Sequence, residues 1–142
     1  MAGAHRAWAV QEPHRYLLIA GTPLPGYSAP PQTLAQARAA LGPFLPVFAS
    51  AQPDPAVLPV AEQMNTWAHQ DPAVATWVAQ YLNTPHGTNH AGRALAGAVI
   101  AWTHSHGVVS LEVEGLHSGR GHQPQTLLEV EMNALADTFR LG

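Results

Sequence analysis

Four histidines in the last third of the chain, His104, His106, His117 and His122, and four glutamates around them, Glu112, Glu114, Glu129 and Glu131, are residue types that could do chemistry. Neutral imidazoles ligate divalent ions, and a pair of carboxylates in unlike environments can divide acid and base roles. Whether they can act together depends on the element that carries them. The stretch AWTHSHGVVSLEVEGL, residues 101–116, alternates apolar and polar residues over 108–114, as a half-buried strand does. On a strand His104 and His106 would share a face and could share an ion. On a helix, at about 100° per residue, they would point in nearly opposite directions.

The longer pattern decides for the helix. Ala91, Leu95, Val99, Trp102, His106, Val109 and Val113 step by four, four, three, four, three and four, a helical period that runs through the ambiguous stretch. Residues 90–114 are therefore expected to be helical, with at most a break near Gly107. His104 and His106 then diverge, and no metal site is expected. His106 reads as a buried histidine, hydrogen-bonded near a kink that Gly107 allows. The four glutamates read as solvated faces and helix-end charges, because nothing sets the pKa of one apart from another. No catalytic residue and no cofactor site is expected.

Composition narrows the functional classes further. The chain of 142 residues is long enough for one domain with a sizeable core, and it has no cysteine for disulfides, thiol chemistry or thiolate-ligated zinc. Lysine is absent, and the six arginines, Arg6, Arg15, Arg38, Arg93, Arg120 and Arg140, are scattered singly in a chain of net charge -3. No basic patch of the kind that grips a phosphate backbone can be built from them. No segment reaches about 18 consecutive apolar residues, and the N-terminus lacks the apolar run of a signal peptide. A cytoplasmic protein with no membrane contact is expected.

Proline and glycine set the boundaries of the elements. A helix over residues 4–11 should stop before Pro13, and a short one should run from Pro13 to Ala20. GTPLPGYSAPP, residues 21–31, is too rich in proline and glycine for regular structure. Residues 32–50 favour a helix that Pro43 and Pro46 kink or split. The helix over 57–69 carries Val60, Met64 and Trp67 as a stripe. Asp71-Pro72 is an N-cap followed by proline at the first helical position, opening a helix through Leu82 that residues 83–89 end. After the breaker of residues 115–124, a last helix over 124–140 has two adjoining stripes: Leu128, Met132, Leu135 and Phe139 in one, Leu127, Val130, Ala134 and Leu141 in the other. A helix with two apolar stripes has two things to bury against.

RAWAVQEPHRYLLIAGTPLPGY, residues 6–27, followed by AWTHSHGVVSLEVEG, residues 101–115, resembles the C-terminal regulatory domain of tetracycline-repressor-type (TetR/AcrR) transcription regulators. The positions that carry the resemblance are His14, Arg15, Tyr16, Gly21, Thr22, Pro23, Pro25, Gly26 and Tyr27, then Trp102, His106 and Gly107. The resemblance implies one all-α domain over residues 1–142, whose last two long helices pair with those of a second subunit in a dimeric four-helix bundle. It also implies a pocket among the middle helices for a small hydrophobic effector. Members of the family begin with a three-helix DNA-binding domain of the helix-turn-helix kind. No basic recognition helix occurs in these residues, so DNA is expected to be reached only through a missing N-terminal domain.

The effector-binding candidates are Phe44, Phe48, Met64, Trp67, Trp77, Tyr81, Trp102 and His106, of which ordinary core should claim about half; buried Trp and Tyr still need partners for their polar tips. The homodimer seam is expected at Leu95, Val99, Leu128, Met132, Leu135 and Phe139, of which Leu128, Met132, Leu135 and Phe139 would face water in a lone subunit, with Gly92, Ala96 and Thr103 permitting close approach of the opposing helices. The leading function is thus the effector-binding and dimerisation domain of a ligand-responsive regulator. A free-standing helical dimer that holds a hydrophobic small molecule, or pairs with full-length regulators, is the alternative. A small histidine-metal enzyme is a third reading that the helical geometry disfavours.

Overall fold

The computed structural model describes residues 1–83 and 90–142; the turn expected at 83–89 lies, apart from Asn83, outside the described residues. Among the described residues every regular element is helical: α1 Ala2–Gln11, α2 Pro13–Ala20, α3 Pro31–Leu41, α4 Leu45–Ala49, α5 Leu58–Gln70, α6 Pro72–Leu82, α7 His90–Val113 and α8 Pro124–Thr138. Single 3-10 turns at Gly42–Phe44 and Pro55–Val57 lead into α4 and α5. The stretch that could have been a strand is the second half of α7, which continues through Gly107 without a break.

Local chemistry accounts for the boundaries. Glu12 leaves the helical region at φ -124° and ψ 57°, as a residue before proline tends to, and Pro13 opens α2 at a position where its missing N–H is not needed. The helix expected over 32–50 is split where Pro43 stands, into α3, a 3-10 turn and α4. The Asp71 carboxylate accepts from the N–H groups of Ala73 at 2.9 Å and Val74 at 3.3 Å, capping α6, and Asn83 ends it in the left-handed region at φ 50°.

The described chain divides into two compact units, each built from two separate stretches, with the boundaries falling inside α7 and α8. The first comprises residues 1–29 and 102–134. Its core is Ala9, Tyr16 and Val109, flanked by Ala20 and Val113. The Arg6 guanidinium grips Glu112 with two bonds, Nε at 2.8 Å and Nη2 at 2.6 Å, fixing α1 along α7. His104 Nδ1 lies 2.9 Å from Glu131, linking α7 to α8.

The second unit comprises residues 30–101 and 135–142. Leu45, Ala68, Val74, Trp77, Val78, Ala94, Leu95 and Ala98 form its core, with Leu41, Phe44, Met64 and Tyr81 among the partly buried side chains against it. Phe48 meets Phe139 edge to face at 4.9 Å between centroids, and the Asp54 N–H donates to the Thr138 carbonyl at 2.8 Å, so the C-terminal segment is sealed onto the unit. Helices α5 and α7 approach closely at Gly92, where an added Cβ would collide with the Ala61 carbonyl oxygen and lie 2.7 Å from Asn65 Cβ. Gly97 likewise gives its space to the Phe48 ring.

Candidate functional site

The first unit gathers several polar aromatic residues and two serines into one cluster. α1 contributes His5 and Trp8, α2 contributes Tyr16, and α7 contributes Trp102, Ser105, His106 and Ser110 at spacings of three and four, which place them along one side of the helix. The Trp102 ring stacks with His5, at 5.3 Å and 30°, and with His106, at 5.6 Å and 15°. Trp8 meets Tyr16 edge-on at 6.1 Å.

Tyr16 is only 2% exposed, and its hydroxyl needs partners there. It lies 2.9 Å from His106 Nδ1 and 2.7 Å from Ser110 Oγ, while Ser110 Oγ lies 3.4 Å from His106 Nε2. A neutral imidazole has one donor and one acceptor, and each hydroxyl can be both. The ring of bonds can therefore close on itself: Tyr16 O–H donates to Nδ1, Nε2–H donates to Ser110, and Ser110 O–H donates back to Tyr16. Run in the opposite sense it closes equally well. A doubly protonated His106 has two donors, so one hydroxyl proton would lose its acceptor within the ring. Beside this network, His5 Nδ1 is 3.1 Å from Ser105 Oγ.

Burial sets the ionisation of the cluster. It raises the Tyr16 phenol above its ordinary value against the opposing pull of the Ser110 hydrogen bond, with the Glu114 carboxylate adding to the rise. The His5 imidazole is lowered, first by burial and then by repulsion from His106. Tyr16 thus remains a neutral donor and acceptor, and His5 resists taking a proton.

Two expectations follow. Tyr16→Phe keeps the ring and removes the oxygen, leaving His106 and Ser110 with only their long mutual bond. A loss of about 1–3 kcal/mol in urea denaturation is expected, and an unchanged midpoint would show that the network contributes nothing. For His5, the unfolded chain takes up a proton below 6.5, its ordinary value, while the folded state refuses it until a lower pH. Stability should therefore fall as pH drops through the mid-sixes, with no contribution from this group above that. In a His5→Gln variant that part of the acid slope should vanish; an identical slope would exclude the assignment.

The sequence candidates separate along the boundary between the units. Trp102 and His106 belong to the polar cluster of the first unit, whereas Phe44, Phe48, Met64, Trp67, Trp77 and Tyr81 all belong to the second. Within the second, Phe48 and Trp77 are buried, and the Trp77 indole N–H donates to the Arg38 carbonyl at 3.1 Å. Phe44, Met64 and Tyr81 are half-buried against the core, and Trp67 is 41% exposed.

The expected exposure of the α8 stripe in a lone subunit is not found. Leu95, Leu128, Leu135 and Phe139 do not face water in a lone subunit: all four are buried within the single chain, and Val99 and Met132 are half-buried. The stripe of Leu128, Leu135 and Phe139 is the one that the subunit's own interior takes. Of the second stripe, Val130 is 57% exposed and Leu127 half-buried. Gly92 and Ala96 are likewise buried in the chain itself, Gly92 against α5, while Thr103 is exposed.

Of the four histidines weighed as a metal site, His104 faces Glu131 and His106 faces Tyr16; only His117 and His122 meet one another, with His122 Nε2 3.0 Å from His117 Nδ1. Sequence reasoning missed His5, Ser105 and Ser110. Ser110 carried a signal, being four residues beyond His106 on the same helix face, but His5 is a hundred residues from its partner Ser105, and no local pattern links them.

Among the described residues no helix is long and apolar enough to cross a membrane. No curated protein and no solved structure gives a significant match. Residues 1–135, by contrast, match the family described as the tetracyclin repressor-like, C-terminal domain. Tyr16, Trp102 and His106, three of the positions that carry the resemblance, meet in the polar cluster of the first unit. The chain therefore belongs to the tetracyclin repressor-like C-terminal domain family of transcription regulators.

Proposed function

We propose that residues 1–142 form one effector-binding and dimerisation domain of a ligand-responsive cytoplasmic regulator, with no catalytic role. The family match across residues 1–135, which takes in both compact units, is the observation that carries this reading. The effector is a small hydrophobic molecule. Its proposed contacts are the half-buried members of the candidate set within the second unit, Phe44, Met64 and Tyr81, since buried Phe48 and Trp77 already have protein partners; Trp102 and His106 are a separate candidate set within the first unit. Effector binding shifts a two-state equilibrium of the dimer and so changes how DNA-reading elements outside these residues are held.

The homodimer uses the outward stripe of α8 around Leu127 and Val130, together with α7. Leu135→Glu would bury a charge inside the subunit and is not a clean probe, whereas Val130→Glu places its charge on an exposed position. Sedimentation equilibrium is expected to give a dimer for the wild type, and a folded monomer for Val130→Glu because the position occurs twice across a two-fold seam. A wild-type chain that stays monomeric would overturn the dimer, and a Val130→Glu dimer would overturn its placement. With its arginines dispersed, the same chain should give no sequence-selective gel shift; tight selective binding would overturn the assignment of DNA contact to other residues.

A further inference from the structure

We propose that the turn joining α7 to α8 is a two-histidine binding site for a borderline divalent transition ion, with Cu2+ or Ni2+ chelated by His117 Nδ1 and His122 Nε2. This site is distinct from the polar cluster of Tyr16 and His106 and from the effector candidates. Residues 114–123 read EGLHSGRGHQ, and Gly115, Gly119 and Gly121 all adopt φ between 75° and 77°. Three left-handed glycines fold the turn back on itself, so that histidines five residues apart bring their rings to 4.9 Å, nearly perpendicular at 82°.

The tautomers follow from the partners. His117 is buried, and its Nε2 lies 3.3 Å from the Val108 carbonyl oxygen of α7. A carbonyl only accepts, so Nε2 carries the proton and Nδ1 presents its lone pair. His117 Nδ1 lies 3.0 Å from His122 Nε2, which in the metal-free protein must carry the proton between them. A histidine whose other ring nitrogen donates to a backbone carbonyl is the arrangement in which metal-ligating imidazoles are usually held. His122 is exposed, which gives an ion a way in from solvent.

The N–N spacing suits an ion, which the rings reach by turning so that both lone pairs converge on one point beside the N–N line. Two nitrogens 3.0 Å apart, each about 2.0–2.1 Å from a common ion, subtend roughly 90–95° there. That is the cis angle of square-planar or octahedral sites, the geometries of Cu2+ and Ni2+, and narrower than a tetrahedral Zn2+ site prefers. The ion takes the place of the shared proton, and His122 carries its own proton on Nδ1 instead, so no net proton is lost. Among the described residues no third histidine, cysteine or carboxylate joins the pair, so water completes the coordination and the ion exchanges readily.

The test is titration of the untagged 142-residue chain with Cu2+ and with Ni2+ by calorimetry, paired with electron paramagnetic resonance of the Cu2+ form. One ion per chain is expected, Cu2+ binding more tightly than Ni2+ or Zn2+, with hyperfine splitting from two imidazole nitrogens. His122→Gln alters an exposed side chain and should leave the helical circular dichroism unchanged while weakening Cu2+ binding about tenfold or more. His117→Ala should do the same, and His69→Gln, at an exposed position of α5, should not. Unaltered affinity in His122→Gln, coordination by fewer than two nitrogens, or no saturable binding by the wild type would each overturn the site.

Discussion

Phe139→Ala is expected to cost the folded subunit about 3–5 kcal/mol, the usual range for emptying a buried phenylalanine site. Phe139 is 0% exposed in the single chain and meets Phe48 edge to face, and Phe48 in turn fills the space over Gly97. Removing the ring leaves a cavity that Phe48 cannot fill without leaving Gly97. A domain of this size is stable by only about 5–15 kcal/mol in all, so the variant should unfold at a much lower urea concentration, or not accumulate at all. The result also separates two roles. If Phe139 belonged only to a seam between subunits, its loss would lower the dimer's association while the isolated subunit kept its stability. Urea denaturation across a range of protein concentrations reads both quantities. A variant with an unperturbed subunit midpoint and weaker association would return Phe139 to the seam and overturn its placement in the interior.

Gly92→Ala is expected to destabilise the domain by about 2 kcal/mol, against the ordinary preference of a helix for alanine. In an open helical position the substitution would gain roughly 1 kcal/mol. At Gly92 the new methyl group meets the backbone oxygen of Ala61 and the Asn65 Cβ at 2.7 Å, so α5 must move as a whole. Overpacking of this kind costs about 1–3 kcal/mol and sometimes more, and a rigid helix backbone puts the cost at the upper end. The steric term wins. Gly107 on the same helix supplies the control, since a Cβ there meets nothing within 4 Å. Gly107→Ala should be neutral or stabilising by up to about 1 kcal/mol. Thermal denaturation of the two variants side by side checks the contrast. Equal behaviour would mean that α5 and α7 are not in close contact at residue 92.

The helical nature of residues 101–113 was legible because a seven-member stripe from Ala91 to Val113 outweighs a seven-residue alternation. Periodicity over more than six turns reports which face is buried whatever the local propensity. The caps were legible for the same local reason: Asp71, Pro13 and Pro72 act on the backbone within three residues of themselves. The two stripes of α8 were visible as well, but not which of them the subunit would keep. Both are apolar and both lie at helical spacing, and partners on other elements, such as Phe48 against Phe139, decide which is the inner one.

By itself, then, the sequence determined what is local or periodic: the helical nature of the elements, the caps at Pro13, Asp71 and Pro72, the break at Pro43, and the separation of His104 from His106. Tertiary structure alone decided what depends on distant partners. It closed the ring of Tyr16, His106 and Ser110, set His5 against Trp102, brought Ala61 up to Gly92 and folded His122 back onto His117. The physical reason is that side-chain direction along one helix follows from its 3.6-residue period, whereas a contact such as that between His5 and Ser105 depends on how every intervening element turns and docks.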